Sequence, residues 1–174
     1  MKCNVGKCGD KYVLLEILWD RTMFTGTITA RLDAKGRVFL PSEFRRRLAD
    51  AEAGLMLRRD IYQPCLVIHP AATWQAEVAA LRARLNRWDP VQAMVYRRFL
   101  SDVEPLTLDA NGRFLLSRRM QELCHIGKSV CFVGADDRIE VWDEETMRAQ
   151  CLTDEQLGEK LAQLLAGPAT YVLP

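Results

Sequence analysis

Residues 32–40, Leu32-Asp33-Ala34-Lys35-Gly36-Arg37-Val38-Phe39-Leu40, return 76 positions later as Leu108-Asp109-Ala110-Asn111-Gly112-Arg113-Phe114-Leu115-Leu116. Six of the nine positions are identical, and the apolar ones that change stay apolar. Self-similarity at a fixed offset is the mark of a repeated structural unit. The likeness runs on past the nine residues. Arg45, Arg46 and Arg47 follow the first copy, and Arg118 and Arg119 follow the second. Cys65-Leu66-Val67-Ile68-His69-Pro70 then closes the first as Asp137-Arg138-Ile139-Glu140-Val141-Trp142-Asp143 closes the second. The chain therefore reads as two copies of one unit of about 50 residues.

Each unit has a local logic. Residues 25–32 alternate polar and apolar, which predicts a half-buried strand with Ile28, Ala30 and Leu32 on one face. Asp33-Ala34-Lys35-Gly36 is turn chemistry, in which Asp bonds the turn's own amides and Gly supplies a positive φ. Residues 37–40 resume as a strand and complete a hairpin. Pro41-Ser42-Glu43 opens a short helix, with Ser42 as the expected N-cap and Glu43 in the first turn. Phe44 and Leu48, four apart, bury one face and put Arg45 and Arg46 on the rim. Strands near 55–58 and 65–69 end the unit.

Helices are predicted between and after the copies. Residues 72–86 carry Trp74, Val78, Leu81 and Leu85 at helical spacing, with Arg82, Arg84 and Arg87 outward. Asp89-Pro90 breaks the chain before a second helix over 91–100. Residues 143–167 hold one or two more, marked by the Leu157, Leu161, Leu164, Leu165 stripe. A unit of this size is marginal alone, so two copies sharing one core is the natural arrangement.

Composition bounds the function. The chain has 174 residues, 49% of them hydrophobic, which excludes wholesale disorder. No run approaches the ~18 apolar residues of a membrane span. The formal charge is +1, from 24 basic and 23 acidic side chains. That total conceals an asymmetry. Residues 31–119 carry 16 basic and 10 acidic groups, while residues 136–160 carry 3 basic and 9 acidic. Such a split points to an anionic partner for the basic part, although a plain solvated surface fits the same counts.

Lys2 and Lys7 precede an apolar stretch at 12–19 that Glu16 interrupts, so a secretory signal is not expected. The reading is cytosolic, with all six cysteines reduced. They form no C-x-x-C pair, and Cys3 and Cys8 fall short of the four ligands of a structural zinc site. Cys65 and Cys131 sit in apolar runs as small core residues. His69 and His125 are the only histidines, and both read as structural or solvated. No Gly-rich phosphate loop, serine elbow or metal-ligand cluster is present. Asp143-Glu144-Glu145 reads as a helix start. No catalytic residue, metal, cofactor or small-molecule substrate is expected.

Met23-Phe24-Thr25-Gly26, the stretch from Leu32 to Arg37, and Pro41 resemble the start of the MraZ family, bacterial transcriptional regulators built from two SpoVT-AbrB-type repeats. The second copy from Leu108 to Arg113, Tyr96-Arg97-Arg98-Phe99 and the Asp136 to Trp142 run carry the same resemblance. It spans residues 23–165. It implies an α+β fold, in which two tandem swapped-hairpin repeats form one pseudo-symmetric β-barrel with flanking helices. The implied organisation is an N-terminal extension at 1–22, repeat one at 23–71, a helical connector at 102's upstream side (72–101), repeat two at 102–145, and a C-terminal helix and tail at 146–174. Residues 1–22 have no counterpart. They read either as an upstream-extended start, with Met23 the usual initiator, or as a short, poorly ordered leader.

The resemblance further implies a cytoplasmic, nucleoid-associated protein whose protomers assemble into rings. Members bind double-stranded DNA at short direct repeats upstream of the division and cell-wall gene cluster, which usually includes their own gene. Lys and Arg on a hairpin turn neutralise phosphates, and an Arg reaching a base edge reads guanine through two hydrogen bonds. The pattern carries over to Arg31, Lys35, Arg37, Arg45 and Arg46 in copy one. In copy two it carries over to Asn111, Arg113, Arg118 and Arg119. Asp33, Gly36, Asp109 and Gly112 shape the turns. For Arg37 and Arg113 there is also a structural role, an ion pair with Asp33 or Asp109 that braces the hairpin, and the two roles are compatible.

Copy two departs from the pattern. Ser117 replaces the proline, Gln121 stands where copy one has Arg45, and Arg118 and Arg119 load positive charge onto a helix start. Either that helix is frayed or the arginines answer an anion such as phosphate. One copy would then dominate contact, with a ring supplying multiplicity. The alternative function is a non-catalytic oligomeric scaffold or antitoxin-like interaction module on the same fold.

Overall fold

The computed structural model describes residues 23–48 and 54–166. The 1–22 segment, with Lys2, Lys7, Cys3, Cys8 and the 12–19 stretch, lies outside the described residues, as does Gly167. In chain order the elements are β1 (Thr27–Arg31), β2 (Arg37–Phe39), α1 (Ser42–Leu48), β3 (Leu55–Arg59), β4 (Leu66–Pro70), α2 (Ala71–Arg84) and α3 (Pro90–Ser101). There follow β5 (Val103–Leu106), β6 (Arg113–Leu115), α4 (Arg118–Leu123), β7 (Ser129–Ala135), β8 (Arg138–Asp143), α5 (Glu144–Gln150) and α6 (Asp154–Ala166). Strand, strand, helix, strand, strand thus occurs twice, with α2 and α3 between the copies.

Backbone pairing crosses between the copies. The larger sheet has the order β1-β7-β8-β4-β3-β5, and a separate two-stranded ribbon joins β2 to β6. The first strand of each copy pairs antiparallel with the third strand of the other: Ile28 opposite Phe132, and Leu57 opposite Glu104. The fourth strands meet in the middle, Ile68 opposite Ile139. The expected barrel is not closed, because β1 and β5 remain as sheet edges and β2 and β6 pair only with each other.

Local expectations mostly hold. Phe44 and Leu48 are the buried face of α1. Its first turn closes from Arg45 N to Pro41 O at 2.9 Å, so Pro41 and not Ser42 occupies the capping position. In copy two the equivalent residue, Ser117, does cap: its hydroxyl accepts from Met120 N at 3.3 Å. A six-residue α4 therefore forms despite its two leading arginines. Asp89 caps α3, accepting from the amides of Val91 at 2.8 Å and Gln92 at 3.0 Å.

One core serves both copies. Val38, Leu40 and Phe44 from the first meet Phe114, Leu116 and Met120 from the second, over Leu66, Ile68, Phe132 and Ile139 of the sheet. Each such side chain contributes about 1.5–3 kcal/mol by leaving water. Cys65 and Cys131 are buried as expected, although neither belongs to the shared core cluster. Burial raises the Cys65 thiol pKa, and raises that of Cys124 to about 11. Both stay protonated.

A polar node beneath α2 and α3 was not visible in the pattern. Arg58, only 6% exposed, lies beside the stacked rings of Trp74 and Phe99, its guanidinium carbon 5.3 and 5.2 Å from their centroids. Its Nε donates to His69 Nε2 at 3.3 Å, and its Nη2 stands 3.6 Å from Glu77 Oε2. Burial raises the Glu77 pKa, opposed by Arg58 and Arg138. A buried guanidinium is tolerable only with partners of this kind.

The chain divides into two compact units after Glu144. The second holds most of α5 and all of α6, with Leu157, Leu161, Leu164 and Leu165 exposed along α6. Among the described residues no helix is long and apolar enough to cross a membrane.

His69 yields a pH prediction. Burial first, and then the Arg58 charge, lower its pKa from 6.5 to about 4, so the folded ring is neutral. Above pH 6.5 it is neutral in both states and carries no penalty. Between 6.5 and 4 only the unfolded chain takes the proton, so stability falls as pH falls, by an amount on the order of 3 kcal/mol. Urea unfolding of the wild type and of His69→Gln at pH 7 and pH 4.5 checks this. A flatter pH dependence in the variant is expected, and equal slopes would contradict it.

Candidate nucleic-acid interface

The two hairpin turns are built alike, almost atom for atom. Asp33 Oδ1 accepts from the amides of Lys35 at 2.8 Å and Arg37 at 2.9 Å, and its Oδ2 accepts from Arg37 Nε at 2.8 Å. Arg37 Nη2 lies 2.7 Å from the same oxygen. In copy two Asp109 Oδ1 accepts from the amides of Asn111 and Arg113, both at 2.9 Å, and Oδ2 accepts from Arg113 Nε at 2.8 Å. Gly36 and Gly112 close the turns at φ +77 and +79, a region a Cβ makes costly. The bracing role read for Arg37 and Arg113 is thus formed in both copies.

These bonds set the electrostatics. The Asp33 pKa is lowered to about 2, first by the Arg37 amide and then by the Arg37 side chain. That of Asp109 is lowered likewise, first by the Arg113 amide. Both carboxylates stay charged near neutrality, and each holds its guanidinium in one orientation. Charge-assisted bonds of this sort outlast ordinary surface pairs because the acceptor is also tied to the backbone.

Because the ribbon is antiparallel, the turns stand at its opposite ends. Arg37 faces Leu115 across the strands, and Phe39 faces Arg113. Val38 and Phe114 point into the core between them. The copies also brace each other's turns. Arg45 crosses from α1 to donate to the Asn111 carbonyl at 3.1 Å, so it belongs with the second turn rather than the first. A Cβ at Gly112 would stand 1.9 Å from Arg45 Nη1. Reciprocally, Gln121 from α4 donates to the Leu116 carbonyl at 2.7 Å and stands 2.9 Å from where a Cβ on Gly36 would be. Arg45 and Gln121 occupy equivalent positions and each packs against the other copy's turn glycine, but only Arg45 hydrogen-bonds across the copies.

The remaining predicted contacts are spread more widely. Lys35 and Asn111 are exposed on the turn tips, and Arg31 is exposed at the end of β1. Arg46 is exposed on α1, where it and Arg45 edge an open cleft of about 620 Å³ beside Leu106, Thr107 and Leu108. Arg118 pairs with Glu122 at 3.0 Å, and both are well exposed. Arg119 pairs with Asp102 and stands 3.5 Å from Glu104. The anion expected opposite Arg119 is therefore supplied by the chain's own carboxylates. Asp102 also takes Arg98, which links α3 to α4.

Phe39 and Leu115 were not singled out from the sequence, where they read as ordinary strand residues. Their shared offset of 76 and the period-two alternation were the available signals. Among the described residues no cluster could hold a metal ion. His69 is enclosed in the Arg58 node, and His125 is exposed after α4 with φ +53.

Comparison with known proteins agrees with the doubled architecture. The family model described as "MraZ protein", which also carries an antitoxin-like label, matches residues 23–98 and again 99–164. The transcriptional regulator MraZ of Phocaeicola vulgatus is 45% identical over 143 residues, which cover 82% of this chain and 93% of that one. The protein of the same name from Bacteroides thetaiotaomicron is 40% identical over 143 residues, 82% of this chain and 92% of its own. That of Escherichia coli is 34% identical over 133 residues, 76% of this chain and 87% of its own.

The turn geometry makes a ranked prediction. Asp33→Asn keeps an acceptor for the Lys35 and Arg37 amides and loses only the ion pair, whereas Asp33→Ala loses both. Thermal melts at pH 7 should place Asp33→Ala below Asp33→Asn, and Asp33→Asn slightly below the wild type. Equal melting of the two variants would mean that the amide bonds contribute nothing.

Proposed function

The chain belongs to the MraZ family, and from that membership we propose that it is a sequence-specific, DNA-binding transcriptional regulator working through the basic turns of its two repeats. The supporting observation is the pair of aspartate-clamped turns at opposite ends of one exposed ribbon, each presenting an oriented arginine. An arginine held in one rotamer loses little entropy on binding, which favours recognition over loose attraction. Lys35 and Arg31 extend the positive surface near the first turn, while Arg45 does so near the second, where Asn111 offers a neutral hydrogen-bonding tip. Arg46 and Arg118 offer phosphate contacts, and Arg119 a weaker one, since Asp102 and Glu104 already occupy it.

The finer reading follows the family. Residues 23–71 and 102–145 are swapped-hairpin repeats of SpoVT-AbrB type whose strands pair across copies around one shared core. The target is a set of short direct repeats in double-stranded DNA upstream of the division and cell-wall genes, the chain's own gene among them. Several protomers in a homo-oligomeric ring would engage successive repeats, so weak single contacts add through effective concentration. The protein acts in the cytoplasm at the nucleoid, and binding requires no cofactor and no chemical step. A second reading, a non-catalytic interaction module, draws on the exposed leucines of α6.

Mobility shift over a salt series, with duplex DNA from upstream of the reading frame, tests this. Arg37→Ala should weaken binding by roughly tenfold or more, while Arg82→Ala, on the exposed face of α2, should leave it nearly unchanged. The wild-type affinity should fall steeply with salt. Unaltered DNA affinity in a folded Arg37→Ala protein would remove the assignment, and salt-insensitive or absent binding would favour the interaction module.

A further inference from the structure

We propose that Phe39 and Leu115 are base-reading side chains, which the β2–β6 ribbon lays against thymine methyl groups on the floor of the major groove. The proposal rests on the regulator reading and adds to it a pair of specificity-determining residues. Exposed apolar side chains scattered singly over a surface call for no explanation. These two are not scattered. They occupy the same position in the two repeats, on partner strands and on one face, and they are 55% and 63% exposed while Val38 and Phe114 behind them are buried.

The outward face has four members: Arg37 beside Leu115, then Phe39 beside Arg113. Both arginines are clamped by carboxylates. The Arg113 guanidinium carbon also lies 5.6 Å from the centre of the Phe39 ring, a cation–π contact that steadies the ring. Lys35 and Asn111 extend the strip at its two ends. Cationic and apolar groups therefore alternate along a narrow, rigid ridge.

That alternation selects the occupant. A protein interface gathers its apolar residues at the centre and excludes charge from it. A duplex instead sets guanine acceptors and thymine methyls side by side on the groove floor, so charged and apolar side chains can interleave there. The major groove, about 12 Å wide, admits a two-stranded ribbon. Three residues per strand span about 10 Å, the height of roughly three base pairs. Arginine reads guanine, apolar side chains read the thymine methyl, and both lie within that reach.

The test uses the full chain and two duplexes: the DNA immediately upstream of its reading frame, and the same duplex with every thymine replaced by uracil. Uracil keeps each hydrogen-bonding group and lacks the methyl. Wild type should bind the uracil duplex about tenfold more weakly, the scale of losing one specific base contact. Phe39→Ala and Leu115→Ala should bind the thymine duplex about tenfold more weakly and lose most of their preference over uracil. Their salt slopes should match the wild type, because no phosphate contact is removed. Phe39→Leu, which stays apolar, should retain the preference. Melting curves confirm folding, which exposed positions should not disturb.

A folded Phe39→Ala protein that keeps the full thymine preference overturns the proposal. So does a loss that is equal on both duplexes. A changed oligomeric state in light scattering, with thymine preference intact, assigns the pair to a protein contact instead. Failure of the wild type to bind either duplex removes the regulator reading itself, and the proposal with it.

Discussion

A strand of three residues is not stable alone in water, and both β2 and β6 are that short. Each is completed by the other copy, with Val38 opposite Phe114 and the flanking amides of Leu40 and Leu116 bonded to the Gly112 and Gly36 carbonyls. The same dependence governs the larger sheet, where β1 leans on β7 and β5 on β3. Among the described residues β1, β2, β5 and β6 have no strand partner in their own copy, so the halves form together. The ribbon, both turns and the shared core of Phe44, Phe114 and Met120 follow from that mutual need.

Reciprocity also positions the surface. The ribbon's inner face is pinned by buried Val38 and Phe114, which forces its alternate residues outward. Asp33 and Asp109 then fix the arginines, the long side chain of Arg45 bonds the opposite turn, and Gln121 stands against Gly36 while bonding Leu116 of its own copy. The exposed ridge is therefore rigid although it sits on turns.

Much of this was legible without coordinates. The 76-residue offset disclosed the doubling, and Asp-x-x-Gly-Arg disclosed the turn, because those residue types do one physical job at that spacing. Phe44 and Leu48 declared the buried face of α1 by helical periodicity. Other features depend on what lies across space. Arg58 is no more than a strand end in the sequence, yet Trp74, Phe99, His69 and Glu77 converge on it from three other elements. Arg119 looked available for an external anion, and Asp102 and Glu104 had already supplied one. Arg45 follows the first turn in the chain and serves the second in space.

The boundary between the two kinds of information follows the range of the interactions. Hydrogen bonds within five residues, alternation along a strand and apolar spacing along a helix are written in order along the chain, so the sequence alone determined the repeat, its turns and its buried faces. Partner choice is not local. Which strand β1 joins, whether the sheet closes or ends at β1 and β5, and whether an arginine meets a carboxylate of its own chain all depend on residues tens of positions away. Only the packed structure decided those, because loop closure and core packing must be satisfied together before any one of the contacts exists.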